Sequence, residues 1–173
     1  MNADALIDRM ARFPATLRAA VGEVATDDAR WRPDASSWAI VEIVSHIADE
    51  ETEDFGIRAR MTLEDPAKPW PPIDAEAAAV SRRYLERDLG EQLDAFESAR
   101  ADSVTWLRSL PAGAPWSNAY EHPSIGTIRA GDILAAWCAH DALHLRQIAK
   151  RLYQLTVRDA GQHHTRYAGD WTA

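Results

Sequence analysis

The sequence has one cysteine, no apolar run long enough to span a bilayer and no cluster of basic residues. The single cysteine, Cys138, excludes a disulfide within the chain. Acidic residues number 27 against 19 lysines and arginines, and the resulting net charge of −8 disfavours partners bound through phosphates, above all nucleic acids. The N-terminal segment lacks the apolar core and small-residue cleavage site of a signal peptide. We therefore expect a cytoplasmic protein that contacts neither nucleic acid nor a membrane.

Sequence motifs of several enzyme classes are also missing. The chain has no Cys-x-x-Cys pair, no glycine-rich phosphate loop and no Gly-x-Ser-x-Gly nucleophile motif. A thiol nucleophile at Cys138 is disfavoured because His140 projects about 200° away from it around a helix. We expect Cys138 to be a small buried side chain.

Length and composition indicate one globular domain. The chain has 173 residues, of which 46% are hydrophobic and 27% charged, and it contains no repeats or low-complexity tract. These values suit a single domain with a sizeable core. We expect this domain to span residues 1–173, with a polar tail over about 156–173.

Hydrophobic residues recur at helical spacing in four long segments, which are separated by connections rich in proline and tryptophan. Four such helices predict an all-α protein, an antiparallel up-down four-helix bundle. Pro14 lies inside the first helix, where we expect a kink or a restart. The expected long helices cover about residues 3–25, 39–63, 88–110 and 129–155, with a short helix over 75–85 and room for a hairpin within 112–128.

The third long helix has a clear start and a polar interruption. Asp88, followed three residues later by Glu91, resembles a capping box. The inward stripe that follows is apolar except at Arg100 and Ser103, which predicts either a buried polar network or a cavity at that level. The stripe consists of Leu93, Phe96, Arg100, Ser103, Leu107 and Leu110.

Two histidines one helical turn apart are the most informative residues of the chain. His140 and His144 lie in the fourth helix at positions i and i+4, so their Cβ atoms are roughly 5–6 Å apart on one face. Both rings can therefore reach one metal ion at roughly 2.0–2.1 Å. A stable site needs a third ligand, and His46 at the edge of the inner face of the second helix is the best candidate. A bound cation is the simplest partner for two polar rings in an apolar core.

The alternative interpretation is that these three residues are core histidines satisfied by hydrogen bonds within the protein. The remaining histidines are weaker candidates for a site. His163 and His164 lie in the polar tail, where we expect exposure to solvent. His122, which precedes Pro123, is expected in a turn, with a place in a pocket wall as the alternative.

Other metal-site templates fit this sequence less well. A di-iron carboxylate bundle needs Glu-x-x-His on two helices, but Glu42 precedes His46 by four residues. A zinc protease needs His-Glu-x-x-His, whereas Asp141 stands at the glutamate position, where we expect it to orient a ligand or to have a structural role. Three neutral imidazoles leave coordination positions open, as in catalytic sites. They suit zinc, nickel, iron or copper; zinc and nickel are the first choices, with iron or manganese as alternatives.

Two runs of sequence resemble a known family. Residues 38–50 (WAIVEIVSHIADE) resemble the second helix of the DinB-like family, and residues 140–148 (HDALHLRQI) resemble its fourth helix. Residues 126–128 (GTI) resemble the loop before that helix. The resemblance covers nearly the whole chain in order and spacing. Its most specific part is the set of three histidines, of which the last two are spaced His-x-x-x-His. Asp141 follows the first histidine of that pair, and Gln147-Ile148 begins three residues after the second.

The resemblance implies a fold, a metal and a class of activity. Family members are up-down four-helix bundles, often homodimers, in which histidines matching His46, His140 and His144 bind a divalent metal. Characterised members include S-transferases and isomerases that use bacillithiol, mycothiol or a related low-molecular-weight thiol. The first hypothesis is therefore a metal-dependent thiol transferase that acts on an electrophilic small molecule. In that case Arg100 would hold the carboxylate of the thiol or the substrate, unless it only extends from the bundle seam to the surface.

Two other functions stay open at this point. A metal-dependent hydrolase would use water activated by the ion, with Glu50 or Asp141 as the base. A non-catalytic, metal-stabilised stress-response or binding protein would turn over no substrate. Turnover of an ester or amide without added thiol separates the hydrolase from the transferase.

Overall fold

The computed structural model describes residues 1–171 and contains the expected four-helix bundle. The bundle consists of α1 (Ala3–Val21), α3 (Ile40–Glu50) with its continuation α4 (Gly56–Glu64), α6 (Leu89–Ser109) and α7 (Ala130–Ala160). Within these residues no helix is both long and apolar enough to cross a membrane. The last two residues of the predicted polar tail lie outside the described part. The other α-helices are α2 (Thr26–Ala29) and α5 (Ala75–Ser81).

Helices that follow one another along the chain do not all pack side by side. Helices α1 and α3 each pack against both α6 and α7. The order around the bundle is therefore α1, α6, α3 and α7, which places α1 opposite α3 and α6 opposite α7. The connection over residues 110–129 joins two opposite helices, and it is long because it has to cross the end of the bundle.

Carboxylates fix the starts of two bundle helices. The Asp88 side chain accepts a hydrogen bond from the Glu91 backbone N–H at 3.0 Å, so the predicted start of α6 is confirmed. At the start of α3, the Glu42 carboxylate accepts from the Ala39 N–H at 2.8 Å and also pairs with Arg32. Each carboxylate lies near the positive end of a helix dipole, where a negative charge is stabilising.

Two helix ends differ from the expected positions by about one turn. Helix α1 ends at Val21 rather than near residue 25, and α2 forms a separate short helix. Helix α7 continues beyond residue 155 to Ala160. Gly161 follows it with a φ of 58°, a conformation that glycine adopts without steric cost.

Helix α1 runs through Pro14 without a restart. Proline has no N–H to donate, so the Met10 carbonyl four residues earlier receives no helical hydrogen bond from position 14. Instead, Nη1 of Arg100 in α6 donates to the Met10 carbonyl oxygen at 3.2 Å. The proline thus frees an acceptor in the bundle interior that an arginine from another helix uses.

The second long helical run contains a π-helical segment that periodicity did not predict. Residues Glu51–Phe55 form one π-helical turn between α3 and α4. The run otherwise covers residues 40–64, close to the expected 39–63. Such turns insert one extra residue into a helix and occur often at functional sites. The extra residue changes which side chains after Glu50 face the bundle interior.

The connection between α6 and α7 contains a two-stranded antiparallel hairpin. Strand β1 (Ala119–His122) pairs with β2 (Gly126–Arg129), with Tyr120 opposite Ile128. Gly126 has a φ of 84°, which an L-residue with a side chain rarely adopts. The sequence allows a short hairpin within residues 112–128, and the observed hairpin covers residues 119–129.

A polar layer divides the bundle interior into two apolar clusters. Its charged residues are Glu51, Arg100 and Asp141, which are all buried. On each helix the polar residue falls between members of the two clusters. The first cluster includes Phe13, Leu17, Ile43, Ile47, Phe96 and Ile148, and the second includes Ile7, Met10, Ala59, Val104, Leu107 and Trp137.

Candidate metal centre

Three histidines from two helices converge beside the polar layer. His46 extends from α3, and His140 and His144 extend from α7. Each offers one ring nitrogen, and these nitrogens all lie within 4.8 Å of one another. The ring centre of His46 is 5.6 Å from that of His140 and 4.8 Å from that of His144, and the last two are 4.2 Å apart. The fold therefore brings together the three residues that the sequence selected.

Gln147 fixes the orientation of one of these rings. Nδ1 of His144 lies 2.9 Å from Oε1 of Gln147, so a proton on Nδ1 can be donated to that oxygen. This tautomer leaves a lone pair on Nε2 of His144, which lies 2.9 Å from Nε2 of His140. The two Nε2 atoms therefore face a common point. Gln147 lies in the family-like run of residues 140–148, and its i+3 spacing from His144 is the sequence signal for this contact.

Burial keeps all three imidazoles neutral at neutral pH. It lowers the pKa of His46 to about 4, with the neighbouring His144 adding to the effect. It lowers the pKa of His140 to about 3, again with His144 and His46 contributing. Burial also lowers the pKa of His144, although the hydrogen bond to Gln147 opposes this. Neutral imidazole is the form that binds a metal, so the donor set fits a divalent ion such as zinc or nickel.

Glu50, one of the two candidate bases, lies directly at these histidines. Its Oε2 is 3.2 Å from Nε2 of His140, and its Oε1 is 3.5 Å from Nδ1 of His46. Burial raises the pKa of Glu50 to about 7; the charge of Asp54 adds to this and Arg58 opposes it. A carboxyl group with a pKa near 7 can both accept and release a proton at neutral pH.

Asp141, the other candidate base, belongs to the buried ion network of the polar layer. Arg100 donates two hydrogen bonds to Asp141, at 2.7 and 2.9 Å, and two to Glu51, at 2.8 and 2.9 Å. Nε1 of Trp137 donates to Glu51 at 2.8 Å. Asp141 therefore lies next to His140 in sequence, but its oxygens hold the guanidinium group of Arg100.

The inward stripe of α6 is predicted to have either a buried polar network or a cavity at its polar residues. At Arg100 the structure has the buried polar network. Burial acts to lower the pKa of Arg100, but its hydrogen bond to Asp141 and the charge of Glu51 outweigh this and raise it. The guanidinium group is therefore charged, and the residue is only 1% exposed. A role of Arg100 in substrate binding stays a prediction. The N–H donors of this side chain already bind the carboxylates of Glu51 and Asp141.

Two large cavities open beside the three histidines, and a third, of only about 20 Å³, is lined by His46 and Glu50 among other residues. The first cavity has a volume of about 450 Å³ and lies along α7 from His140 to Arg151, with Trp171 on its far side. The second cavity, of about 440 Å³, is lined by residues that include Trp38, His46 and Ser37. His144, Gln147 and Arg151 line both cavities. Two small molecules can therefore approach the histidines from two sides.

Aromatic rings shield the histidines from the apolar side of the site. Trp38 packs edge-on against His46 with ring centres 4.9 Å apart, and Phe55 lies 4.9 Å from the ring of His140. The sequence did not single out either aromatic residue as part of the site. Phe55 reaches His140 from the π-helical turn, whose presence the sequence pattern does not indicate.

The other histidines are not part of this cluster. Nδ1 of His122 accepts from the backbone N–H groups of Ser124 and Ile125 in the hairpin turn, at 3.2 and 3.3 Å. His122 is therefore the last residue of β1 rather than a residue of the turn, and its ring accepts hydrogen bonds from the turn that follows. His163 and His164 are exposed, as the polar tail predicted.

Comparisons with known proteins agree with the fold. The sequence model of the DinB superfamily matches residues 9–148. A solved structure of YfiT from Bacillus subtilis, described as a probable metal-dependent hydrolase with an unusual four-helix bundle topology, is similar with a TM-score of 0.79. The two chains are 19% identical, and the similarity covers 89% of this chain and 87% of YfiT. No curated protein matches the chain significantly.

Proposed function

Because the chain belongs to the DinB superfamily, we propose that it is a divalent-metal-dependent enzyme in which Glu50 moves the proton of the nucleophile. The observation that carries this proposal is the position of Glu50. Its two oxygens lie within 3.5 Å of ring nitrogens of His46 and His140. His140 lines the first cavity and His46 lines the second, so Glu50 contacts one histidine of each cavity without lining either cavity itself. A carboxyl group in this position can take a proton from a molecule that reaches the metal.

His46, His140 and His144 are the proposed metal ligands. Their neutral rings and their converging nitrogens support this assignment. A bound divalent ion would supply Lewis-acid polarisation and lower the pKa of a thiol or water that reaches it. Zinc and nickel remain the first choices, with iron or manganese as alternatives.

We infer that the nucleophile is a low-molecular-weight thiol of the bacillithiol or mycothiol type. Two cavities that share three lining residues suit a reaction of two substrates. The thiol loses its proton to Glu50, and its sulfur forms a bond to the electrophilic carbon of a small molecule. The leaving group departs with the electron pair of the broken bond, and Glu50 can return the proton to it.

Hydrolysis is the second candidate, and one observation favours it. YfiT, which has the same fold, is described as a probable metal-dependent hydrolase. Glu50 would then take a proton from water rather than from a thiol, and one cavity would hold the ester or amide. Asp141 is the less suitable base, since its oxygens bind Arg100.

The test compares Glu50→Gln with Glu64→Gln in metal-loaded protein, with an electrophile or an ester supplied with and without added thiol. Glu64 is an exposed residue of the same helical run, so its variant serves as the matched control. We expect Glu50→Gln to lower kcat about 100-fold or more while its metal content stays at the wild-type level. Turnover that needs thiol identifies the transferase, and turnover without thiol identifies the hydrolase.

Two outcomes would contradict the proposal. If Glu50→Gln keeps the wild-type kcat, Glu50 does not transfer the proton. If metal-loaded wild-type protein turns over neither an electrophile nor an ester, the non-catalytic role as a metal-stabilised binding or stress-response protein replaces the enzyme.

We further propose that residues 1–173 act as one domain, that the protein is a cytoplasmic homodimer, and that its substrate is a small molecule. The dimer and the thiol follow from family resemblance. Sedimentation of the purified protein measures the oligomeric state directly, and a monomer at micromolar concentration would remove the dimer from the proposal.

A further inference from the structure

Arg151 is a buried cation with which no carboxylate of residues 1–171 pairs directly. It is 6% exposed and lines both cavities beside the histidines. Its Nε donates to the Trp38 carbonyl at 2.6 Å and its Nη1 to the side chain of Gln154, both of which are neutral groups. Among the described residues it forms no ion pair. Asp34 acts on it only through space, since its oxygens accept from Ser36 and Ser37.

A buried charge without a counterion is unfavourable, so this arrangement calls for an anion. Elsewhere in residues 1–171 buried arginine is matched by carboxylates, as with Arg100 and its partners Glu51 and Asp141. At Arg151 the space that a counterion would need is open, because the side chain borders both cavities.

The wall of the first cavity adds two more cations. Arg146 and Lys150 line it together with Arg151, and none of the described residues that line it is acidic. Neither Arg146 nor Lys150 forms an ion pair within the described part of the chain. Acidic residues outnumber basic residues in the chain by 27 to 19. A cavity wall whose described residues include three cations and no acid therefore differs from the average composition of the chain. The first cavity is therefore a locally positive site on a negatively charged protein.

The spacing along α7 relates these cations to the histidines. His140, His144, Gln147 and Arg151 follow one another at steps of four, three and four residues, so they lie on one face of the helix. Seven residues from His144 to Arg151 correspond to about 10 Å along the helix axis. Arg146 and Lys150 lie beside this face rather than on it, but both line the first cavity together with His140 and His144.

We propose that the first cavity binds a small organic anion, whose carboxylate lies against Arg151, Lys150 and Arg146 and whose other end reaches His140 and His144. This inference rests on the proposed function, because it names the chemical class of one of the two reactants. The ligand is short, since its anionic and reactive ends have to fit within about 10 Å. Removal of the cations should weaken binding without any loss of metal.

The test uses succinate as the anionic probe and succinamide as its neutral counterpart, with calorimetric titration of metal-loaded protein. We expect succinate to bind at least tenfold more tightly than succinamide, because each charge-assisted hydrogen bond adds to its affinity. The double variant Arg146→Met/Lys150→Met should bind succinate at least tenfold more weakly and keep its metal. Lys68→Met is the matched control, because Lys68 is the other lysine of the chain and lies outside both cavities.

Arg151→Met is a further variant, but it also removes the hydrogen bond to the Trp38 carbonyl oxygen and can therefore destabilise the fold. For this reason the test uses the two exposed cations, Arg146 and Lys150. Equal affinities for succinate and succinamide, or unchanged succinate binding in the double variant, overturn the inference. If the protein binds no metal, the proposed function fails. In that case succinate binding to metal-free protein, compared between wild type and the double variant, still decides the inference by the same criterion.

Discussion

Gln147 is the residue on which the tautomer and orientation of His144 depend. Its Oε1 lies 2.9 Å from Nδ1 of His144, and partners of this kind increase the affinity of a site for its metal. We expect Gln147→Ala to weaken zinc binding by about 10- to 100-fold, measured by competition with a chromophoric chelator. Gln162→Ala, in the exposed tail, is the control and should bind zinc with wild-type affinity. Equal affinities in the two variants would remove this role of Gln147.

Arg100 is a residue whose removal leaves two carboxylates buried without a cation. Arg100→Met should lower the free energy of unfolding by about 3–5 kcal/mol, because Glu51 and Asp141 then lose their partner in the bundle interior. Chemical denaturation measures this change. Arg108→Met, which removes the exposed pair with Asp8 from the same helix, should change stability by less than about 1 kcal/mol.

A loss in Arg100→Met as small as that in Arg108→Met would mean that the polar layer contributes little to stability. The layer would then separate the two apolar clusters without linking the helices. The same experiment bears on the alternative in which Arg100 binds substrate. If Arg100 is needed for folding, its removal lowers the free energy of unfolding. If Arg100 only binds substrate, its removal raises KM and leaves the free energy of unfolding unchanged.

At the scale of single elements, the π-helical turn after α3 connects the fold to the site. A Cβ atom added at Gly56 would lie 2.8 Å from the Glu51 carbonyl oxygen, closer than such atoms come in practice. Alanine normally stabilises a helix relative to glycine by about 1 kcal/mol. We expect Gly56→Ala to do the opposite and to destabilise the protein by about 1–3 kcal/mol, measured by denaturation.

Gly113→Ala is the control for this substitution, because nothing lies within 4 Å of the added Cβ atom there. It should leave stability unchanged or slightly increased. A stabilising effect of Gly56→Ala would show that the backbone of the turn relaxes easily. In that case the position of Phe55 beside His140 would not depend on the turn.

Helices and their starts could be predicted from the sequence because they depend on local signals. Apolar spacing located the four long runs, and the Asp88 cap located the start of α6 to the residue. The π-helical turn could not be predicted, since it depends on contacts with another helix. Glu51 accepts from Trp137, and Phe55 stacks on the same ring at 5.9 Å. Residues 51–55 alone carry no signal for that pairing.

The part of the site that depends on local spacing within one helix could also be predicted from the sequence. The i,i+4 spacing placed His140 and His144 together, and the amphipathic pattern of α3 placed His46 on the inner side of the bundle. The cavities and the burial of Arg151 could not be predicted, because they depend on which helices are neighbours. The order α1, α6, α3, α7 brings α3 beside α7, and only this packing gives three histidines a common point.

At the scale of the whole molecule, metal binding and folding are linked. His46 lies on α3 and the other two histidines on α7, so an ion held by all three joins two helices of the bundle. Free zinc at 100 times its Kd should add about 2.7 kcal/mol to the free energy of unfolding and raise Tm. The variant His140→Ala/His144→Ala should show no rise in Tm on addition of zinc. An equal rise in both proteins would place the stabilising ion elsewhere.

The most direct test of the account is the metal content of protein purified without a polyhistidine tag, measured by elemental analysis. We expect about one divalent ion per chain in the wild type and none in His140→Ala/His144→Ala. Full metal content in the variant would mean that these histidines are not the ligands. Absence of metal from both proteins, even after reconstitution with zinc or nickel, would contradict the metal centre and leave a bundle with three core histidines.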